Sequence, residues 1–260
     1  MKNPLKESLR PMLIFCLFGS FFMSYGEETI KSGSADKILG LWHFDEGEGE
    51  TAKDSSGTGA DLKFSGATWA DGKKGKCLSL EAKGSCAYTS KIYPCFELTG
   101  KEFTISCWIK PEYEYPKTMF IVSNAHTLRG PGYWFGLDYG AVVLGSGEGK
   151  KFWKVVTPRF KEGKIPEKIT KSYYKGIIDN RWYHLALTFK DGVYRLYVDG
   201  RMVCEKKGKA VIPAKHRLMI GNRNPRELHY CYKGLIDEVE ILNRAKTGEE
   251  IIDDAILTEE

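Results

Sequence analysis

The sequence predicts an all-β protein, a two-sheet antiparallel β-sandwich of the jelly-roll type with a short C-terminal helix. Three observations support this class. Aromatic residues make up 13 % of the chain and there are 28 glycines. Short runs of alternating apolar and polar residues recur between turn residues. No segment before residue 247 shows the 3.6-residue period of an amphipathic helix over a useful length. This combination is typical of sandwiches and jelly rolls, which consist of many short strands.

The N-terminal segment has the composition of a secretory signal peptide. Basic side chains precede an apolar run over residues 12–23, and the tripeptide Ser24-Tyr25-Gly26 that follows has small residues at its first and third positions, the two that a signal peptidase reads. The apolar run is shorter than the roughly 20 residues that a membrane-spanning helix needs. We therefore expect residues 1–26 to be removed, and the mature protein to be secreted, extracellular or periplasmic, without membrane insertion.

The rest of the chain predicts one domain. Residues 27–37 are small and polar and are expected to form a leader, so that the folded domain covers residues 38–257. Loss of residues 1–26 removes three basic side chains and one acidic side chain, which changes the formal net charge from +5 to +3. A charge this close to balance argues against a nucleic-acid-binding surface, which needs clustered basic residues.

Cysteine usage agrees with export. Six cysteines follow the signal peptide: Cys77, Cys86, Cys95, Cys107, Cys204 and Cys231. An even number in an exported chain permits disulfide bonds, and no spacing matches a metal-binding Cys-x-x-Cys pair. The connectivity stays open. A hairpin formed by the segments that contain Cys77 and Cys86 would place Cys77 opposite Ser90, which disfavours a bridge between these two cysteines.

The clearest strand lies between two Asp-Gly turns, at residues 191–192 and 199–200. Such turns around an alternating run are a strong short-range signal for a hairpin. The face predicted to enter the core consists of Tyr194, Leu196 and Val198. Further along, residues 247–257 are expected to form a short helix, with Thr247 as its N-cap and acidic residues in its first turn.

One segment, residues 145–180, departs from the pattern of short strands. It is long and rich in lysine and aromatic residues, and a strand is predicted within it over residues 152–157. Segments of this length in a compact domain are usually functional or disordered. Two interpretations stay open: a binding loop for an anionic glycan, or a solvated insertion, which is the commoner explanation of basic runs.

Five segments resemble, in order, strands of the laminin-G-like jelly roll of the concanavalin A-like lectin/glucanase superfamily. They are Leu41–Gly47, Phe103–Lys110, Trp182–Thr188, Leu196–Gly200 and Gly234–Ala245. The resemblance implies a jelly roll closed by a short helix, and a function that is chiefly binding. It does not identify a ligand, because one fold hosts many functions.

The resemblance also implies a structural calcium ion. In similar domains an acidic residue after the first strand and the aspartate of the Ile-Asp-Glu strand meet, because the first and last strands are neighbours. The corresponding residues here are Asp45 and Asp237, with Asp54 as a further candidate ligand. Calcium takes six to eight oxygen ligands, so carbonyls and water would complete the shell. The alternative is that these aspartates cap turns through backbone amides.

A glycoside hydrolase of the concanavalin A-like class is the enzymatic alternative. Such enzymes carry a Glu-x-Asp-x-(x)-Glu pattern on one strand, with carboxylates about 5–5.5 Å apart. Leu235 stands where the nucleophile would be, and Glu238 and Glu240 are expected to face solvent. The sequence contains no His-Glu-x-x-His motif and no Gly-x-Ser-x-Gly motif. We therefore predict no catalytic residues and no enzymatic activity.

Carbohydrate is the ligand class that the resemblance favours. Sugar binding needs an aromatic face for the apolar side of the ring, and polar groups for its hydroxyls. The candidates outside the resembling core strands are Trp134, Trp153, Arg223, His229 and Tyr230. The tryptophans expected in the core are Trp42, Trp108 and Trp182. The prediction is a non-catalytic module that binds a polysaccharide or glycan and contains structural calcium; the alternative is a protein-binding adhesion or assembly module.

Overall fold

The computed structural model describes residues 36–112, 118–157, 176–177 and 180–256. These ranges contain sixteen β-strands, one α-helix and two short 3-10 helices, Pro94–Glu97 and Gly149–Lys151. The predicted signal peptide, residues 27–35 of the leader and residues 158–175 of the basic insertion lie outside the described residues.

The strands form two antiparallel sheets, as predicted. Sheet A contains, in spatial order, β14 (Arg201–Lys207), β13 (Val193–Val198), β12 (Tyr183–Lys190), β7 (Glu102–Pro111), β16 (Gly234–Leu242), β5 (Lys76–Leu80) and β4 (Thr68–Asp71), and β1 (Ile38–Trp42) also pairs with β16. Sheet B contains β11 (Trp153–Val156), β10 (Ala141–Ser146), β9 (Tyr133–Asp138), β8 (Thr118–Ser123), β15 (Met219–Ile220), β6 (Cys86–Thr89), β3 (Leu62–Ser65) and β2 (Thr51–Ala52).

The core lies between the two sheets. Trp42 is fully buried there, and its indole Nε1 donates a hydrogen bond to the carbonyl of Ala60 at 3.0 Å. The predicted core face of β13 is confirmed, because Tyr194, Leu196 and Val198 are all buried. The other two tryptophans expected in the core differ: Trp108 is buried outside the main core cluster, and Trp182 is only half-buried.

Two tight turns fix the β12–β13–β14 meander. Both residues of each turn have positive φ: Asp191 (+47°) with Gly192 (+81°), and Asp199 (+48°) with Gly200 (+74°). This is the type I′ geometry, whose twist matches that of the flanking strands. The Asp199 carboxylate also accepts a hydrogen bond from the His184 amide at 3.0 Å, which ties the turn back to β12.

The helix α1 (Gly248–Ile256) follows β16, as the sequence predicts. The hydroxyl of Thr247 accepts a hydrogen bond from the amide of Glu250, and the Glu250 carboxylate accepts one from the amide of Thr247, which forms a capping box. The neighbouring Arg244 guanidinium, together with these amide bonds, lowers the pKa of Glu250 to about 2. Ile251 anchors the helix on Ala186 and Tyr197 of sheet A.

The cysteines correct one expectation. All six lie in the described ranges and all are free thiols, so the predicted disulfide bonds are not formed. Cys77 lies in β5 of sheet A and Cys86 in β6 of sheet B, so these segments do not form a hairpin. Burial raises the pKa of both thiols to about 12, which makes them poor nucleophiles.

Gly136 provides a test of the packing of sheet B. A Cβ atom added to Gly136 would lie 2.1 Å from the carbonyl oxygen of Met119, on the strand next to it. We expect Gly136→Ala to lower the free energy of unfolding by more than about 2 kcal/mol, because backbone would have to move. The matched control is Gly248→Ala, where no atom lies within 4 Å. Urea unfolding measures both; equal stabilities of the two variants would contradict the described register.

Candidate functional site

The strand β16 changes its partner halfway along its length. One edge pairs with β7 throughout, whereas the other edge pairs first with β5, at residues 234–236, and then with β1, at residues 239–242. A β-bulge between Asp237 and Glu240 marks the change. Glu238 within this bulge has a left-handed φ of +48°. Such strain persists where surrounding contacts fix the backbone, and it is common near functional sites.

Asp237 is the buried residue of this bulge. Its side chain is 0 % exposed, and Oδ2 accepts hydrogen bonds from the amides of Lys73 at 2.8 Å and Lys74 at 3.1 Å. Burial raises the pKa of Asp237 to about 7; the charge of Glu238 acts in the same direction, and the amide hydrogen bonds oppose it. Within the described ranges no basic side chain forms an ion pair with this carboxylate.

Asp45 reaches the same β4–β5 turn after the end of β1. Its Oδ1 accepts a hydrogen bond from the Lys76 amide at 2.9 Å. The turn requires glycine at two positions, because a Cβ atom on Gly75 would lie 2.0 Å from this oxygen, and one on Gly72 would lie 2.6 Å from Oδ2 of Asp237. Asp45 and Asp237 therefore both pack against one turn.

Asp54 does not join the other two aspartates. Its Oδ1 accepts hydrogen bonds from the amides of Leu41 and Ser56, and its Oδ2 accepts them from the Ala60 amide and the Ser56 hydroxyl, all at 2.9–3.1 Å. The side chain thus holds the loop between β2 and β3 against β1. Across the part of the chain that the structure describes, no three His, Cys, Asp or Glu side chains are grouped to hold a metal. The structure therefore brings two of the three expected calcium ligands, Asp45 and Asp237, to one turn and places Asp54 elsewhere.

A second cluster lies on the outer face of sheet B, separate from the core between the sheets. Phe120 and Trp134 are buried there, with ring centroids 4.6 Å apart. The ring of Tyr230 stacks on Phe120 at 5.7 Å and an interplanar angle of 14°, and it remains partly exposed. The aromatic cluster therefore supports one ring that reaches the surface.

Tyr230 belongs to a closed loop, residues 222–230, which connects β15 to β16. Hydrogen bonds at its base join Gly221 to Tyr232 at 2.7 Å and to Ile121 at 2.7 Å. Gly221 has a φ of +83°, which favours glycine, and a Cβ atom there would collide with Leu80. The base of the loop is therefore fixed by the sheet.

Arg223 links this loop to the aromatic cluster. Its guanidinium carbon lies 5.8 Å from the Phe120 ring centroid and 5.5 Å from that of Tyr230, which is cation–π geometry. The guanidinium forms an ion pair with Glu227 and donates to the His126 carbonyl at 3.0 Å. The planar group is held rigidly beside the exposed Tyr230 ring.

The structure brings together three of the five predicted ligand-binding residues. Arg223 and Tyr230 are in contact, and the exposed His229 lies on the same loop, with its amide donating to Glu227 at 2.8 Å. The prediction for Trp134 is wrong, because it lies in β9 and only 1 % of it is exposed. The fifth residue, Trp153, is partly buried and lies apart from the other candidates.

Trp153 lies in β11, so the strand predicted within the insertion is present. Its indole packs on Tyr194 at 5.3 Å and against the core between the sheets, away from the aromatic cluster. A side chain in that position supports the edge of the sandwich. It does not offer a free ring face next to Arg223.

Sequence reasoning missed two members of this site. Phe120 lies in the apolar run of β8, which predicts burial but does not say on which face of the sheet. Glu227 has a weak signal in its spacing of four residues from Arg223. Neither signal specifies that Phe120 contacts Arg223, which is about a hundred residues away in sequence.

The prediction that the glutamates of β16 face solvent is wrong. Oε2 of Glu238 lies 2.7 Å from Nδ1 of His43, and Glu240 forms an ion pair with Lys246. Both glutamates line a pocket on the outer face of sheet A. Each glutamate is therefore held by a different basic partner.

Similar folds occur in several binding domains. Domain 4 of AbnA, a GH43 extracellular arabinanase from Geobacillus stearothermophilus in complex with arabinotriose, is 22 % identical, with a TM-score of 0.61 over 85 % of this chain and 98 % of that chain. The binding domain of Paraclostridial Mosquitocidal Protein 1 is 19 % identical, with a TM-score of 0.62 over 84 % of this chain. The binding domain of botulinum neurotoxin DC, in complex with rat synaptotagmin II, is 14 % identical, with a TM-score of 0.61 over 86 %. This chain spans about half of each of the two toxin structures, 52 %.

These identities establish the fold alone. No helix in the described ranges combines the length and the apolar character needed to cross a membrane. A comparison with curated protein sequences finds no significant match. The Laminin_G_3 family model, described as the concanavalin A-like lectin/glucanases superfamily, matches residues 87–252, which is more than half of the chain. The predicted resemblance is confirmed, and the chain belongs to this laminin-G-like family.

Proposed function

We propose that this chain is a secreted, non-catalytic carbohydrate-binding module, and that it binds its ligand on the loop of residues 222–230. One observation carries the proposal: the Arg223 guanidinium packs beside the partly exposed ring of Tyr230 and is held by Glu227. Secretion rests on the signal-peptide composition of residues 1–26.

The chemistry of this surface suits a sugar. The Tyr230 ring offers an apolar face, and the guanidinium and carboxylate offer planar donors and acceptors for hydroxyl groups. Because Tyr230 already stacks on Phe120 and Arg223 already forms an ion pair, little side-chain freedom is lost on binding. Such preorganisation favours affinity.

The comparisons support a binding module. A domain of the same fold was solved with arabinotriose, and it corresponds to this chain over 98 % of its length. Arabinan is therefore the first polysaccharide to test. A non-catalytic role is further supported by Leu235, which stands where the nucleophile of a hydrolase would be, and by the separate ion pairs of Glu238 and Glu240.

A protein-binding module is the second candidate function. Leu228 in the same loop is 45 % exposed, and exposed apolar side chains are common in protein interfaces. A toxin binding domain of the same fold was solved with synaptotagmin II. The carbohydrate proposal is preferred because Tyr230, Arg223 and Glu227 form one connected group of a ring face and planar polar groups.

We also propose that Asp45 and Asp237 hold a structural calcium ion at the β4–β5 turn. Two carboxylates beside a glycine-containing turn offer the hard oxygen donors that calcium prefers. A buried carboxylate without a basic partner is costly, and a bound cation would compensate its charge. Bound calcium would therefore stabilise the junction of β1, β5 and β16.

The binding surface predicts a specific loss of affinity. Tyr230→Ala should weaken binding to the polysaccharide that retards the unchanged protein by about tenfold, because stacking on an aromatic ring contributes up to about 1.5 kcal/mol. Affinity electrophoresis through gels that contain arabinan, xylan, β-glucan or galactan measures the retardation.

The matched control is Met202→Ala, an exposed side chain on β14 of sheet A. It should bind like the unchanged protein. Unchanged retardation of Tyr230→Ala would contradict the proposed surface. Absence of retardation by every polysaccharide, together with capture of a defined extracellular protein that Tyr230→Ala abolishes, would favour the protein-binding alternative.

The calcium proposal predicts a pH-dependent stabilisation. Without calcium, the raised pKa of Asp237 means that the folded state keeps a proton that the unfolded state releases, so the contribution of Asp237 to stability falls as pH rises from the ordinary 3.8 to about 7. Calcium competes with this proton. Calcium at about 100 times its Kd should add about 2.7 kcal/mol near pH 8 and clearly less near pH 5.5.

Two variants separate a metal ligand from a structural aspartate. Asp237→Asn should abolish the calcium response and remove the contribution of Asp237 to the pH dependence of stability. Asp54→Asn should lower stability by about 1–3 kcal/mol through its lost loop contacts, yet keep the calcium response. Thermal unfolding with EDTA and with calcium measures both effects. A saturable calcium response in Asp237→Asn equal to that of the unchanged protein would refute the site.

A further inference from the structure

A pocket of about 260 Å³ lies on the outer face of sheet A, beside α1. Its lining includes Ser106 and Trp108 of β7, His184 of β12 and Glu238 of the β16 bulge. In the strand register, Trp108 lies opposite His184 on one side and opposite Asp237 on the other. The Trp108 ring thus packs on the His184 imidazole, and the Lys73 ammonium lies 4.7 Å from its centroid.

Two buried polar atoms of this lining have no hydrogen-bond partner. His184 is 3 % exposed, and its Nδ1 is unpaired; Oε1 of Glu238 is also buried and unpaired. Buried polar atoms in folded proteins almost always have a partner, and each exception costs stability. Two such atoms in one pocket lining leave hydrogen-bonding capacity for a bound ligand.

The charges of the lining limit the class of ligand. His184 is uncharged at neutral pH, because burial, aided by the charge of Lys246, lowers its pKa to about 3. The acidic side chains have basic partners, since Glu238 pairs with His43, and Glu240 and Asp254 share Lys246. Lys74 adds a further basic side chain to the lining, so acidic and basic groups nearly balance, and a charged ligand would upset this balance. A neutral ligand with hydroxyl groups can donate to a carboxylate and either donate to or accept from an imidazole.

The size of the pocket further restricts the class of ligand. Sites for drug-sized molecules occupy about 300–1,000 Å³, so a pocket just below this range suits a single sugar ring. Trp108 packs on His184 with ring centroids 5.3 Å apart, which gives the pocket an aromatic wall. Aromatic walls with a few polar groups are typical of sugar sites.

We propose that this pocket binds one neutral sugar residue, with its hydroxyls bonded to Glu238 Oε1 and His184 Nδ1 and its ring beside Trp108. It lies on the other sheet from the loop of residues 222–230. The pocket is therefore a site additional to the proposed polysaccharide surface, and the two proposals can fail separately.

Side-chain NMR of the mature protein tests the proposal. The probes are arabinose, galactose, glucose and xylose, each titrated to about 50 mM, with glucuronate and glucosamine as charged controls; single-residue ligands have millimolar dissociation constants. We expect one neutral sugar to shift the His184 imidazole and Trp108 indole resonances saturably, and the charged sugars to bind at least about fivefold more weakly. Lack of any saturable shift of these two side chains would overturn the proposal.

Variants assign the response to the pocket. Glu238→Gln should weaken the sugar about tenfold, as expected for loss of a charged acceptor. Ser106→Val, which replaces a hydroxyl of the buried lining with two methyl groups and so adds volume there, provides a second variant if the first does not fold. Glu205→Gln, an exposed partner of Arg195, is the matched control and should bind normally. Unchanged affinity in a folded Glu238→Gln or Ser106→Val variant would overturn the proposal, and Tyr230→Ala should leave the response intact.

Discussion

The organisation of this protein depends on one edge of β16, which two strands share. β5 pairs with the first part of that edge and β1 with the second, so the ladder must be interrupted between them. The bulge at Asp237 and Glu238 provides the interruption, and the amides of the β4–β5 turn are satisfied by the Asp237 carboxylate. A hydrogen-bonding requirement of the backbone therefore explains why an acid is buried at this position.

The same junction separates three surfaces with different chemistry. Asp237 turns toward the glycine-containing turn, whereas Glu238 and Glu240 line the pocket on the outer face of sheet A. The loop of residues 222–230 precedes β16 and returns to it through Tyr232, whose amide bonds to Gly221. The rigid sandwich thus holds a polar turn, a pocket and a loop with a supported aromatic ring. In this fold, function depends on such local sites and not on the sandwich itself.

Most of the fold could be predicted from the sequence, because its signals are local. Alternation identified the core face of β13, and the Asp-Gly turns and the Thr247 cap have the predicted geometry. The site was less predictable. Whether Trp134 faces a ligand or a second apolar cluster depends on the outer face of a sheet, and whether Asp54 binds a metal or four backbone and hydroxyl donors depends on the path of its own loop. Neither outcome can be predicted from the periodicity of the sequence.

The central claim is that the loop of residues 222–230 is the carbohydrate-binding surface. Backbone amide NMR during a titration with arabinotriose, followed by other oligosaccharides, tests it most directly because every face of the protein is observed at once. The account predicts that the largest shifts occur in residues 222–230 and in the adjoining residues 120–126. Saturable shifts confined to the edge strands β13 and β14, with none in this loop, would contradict it.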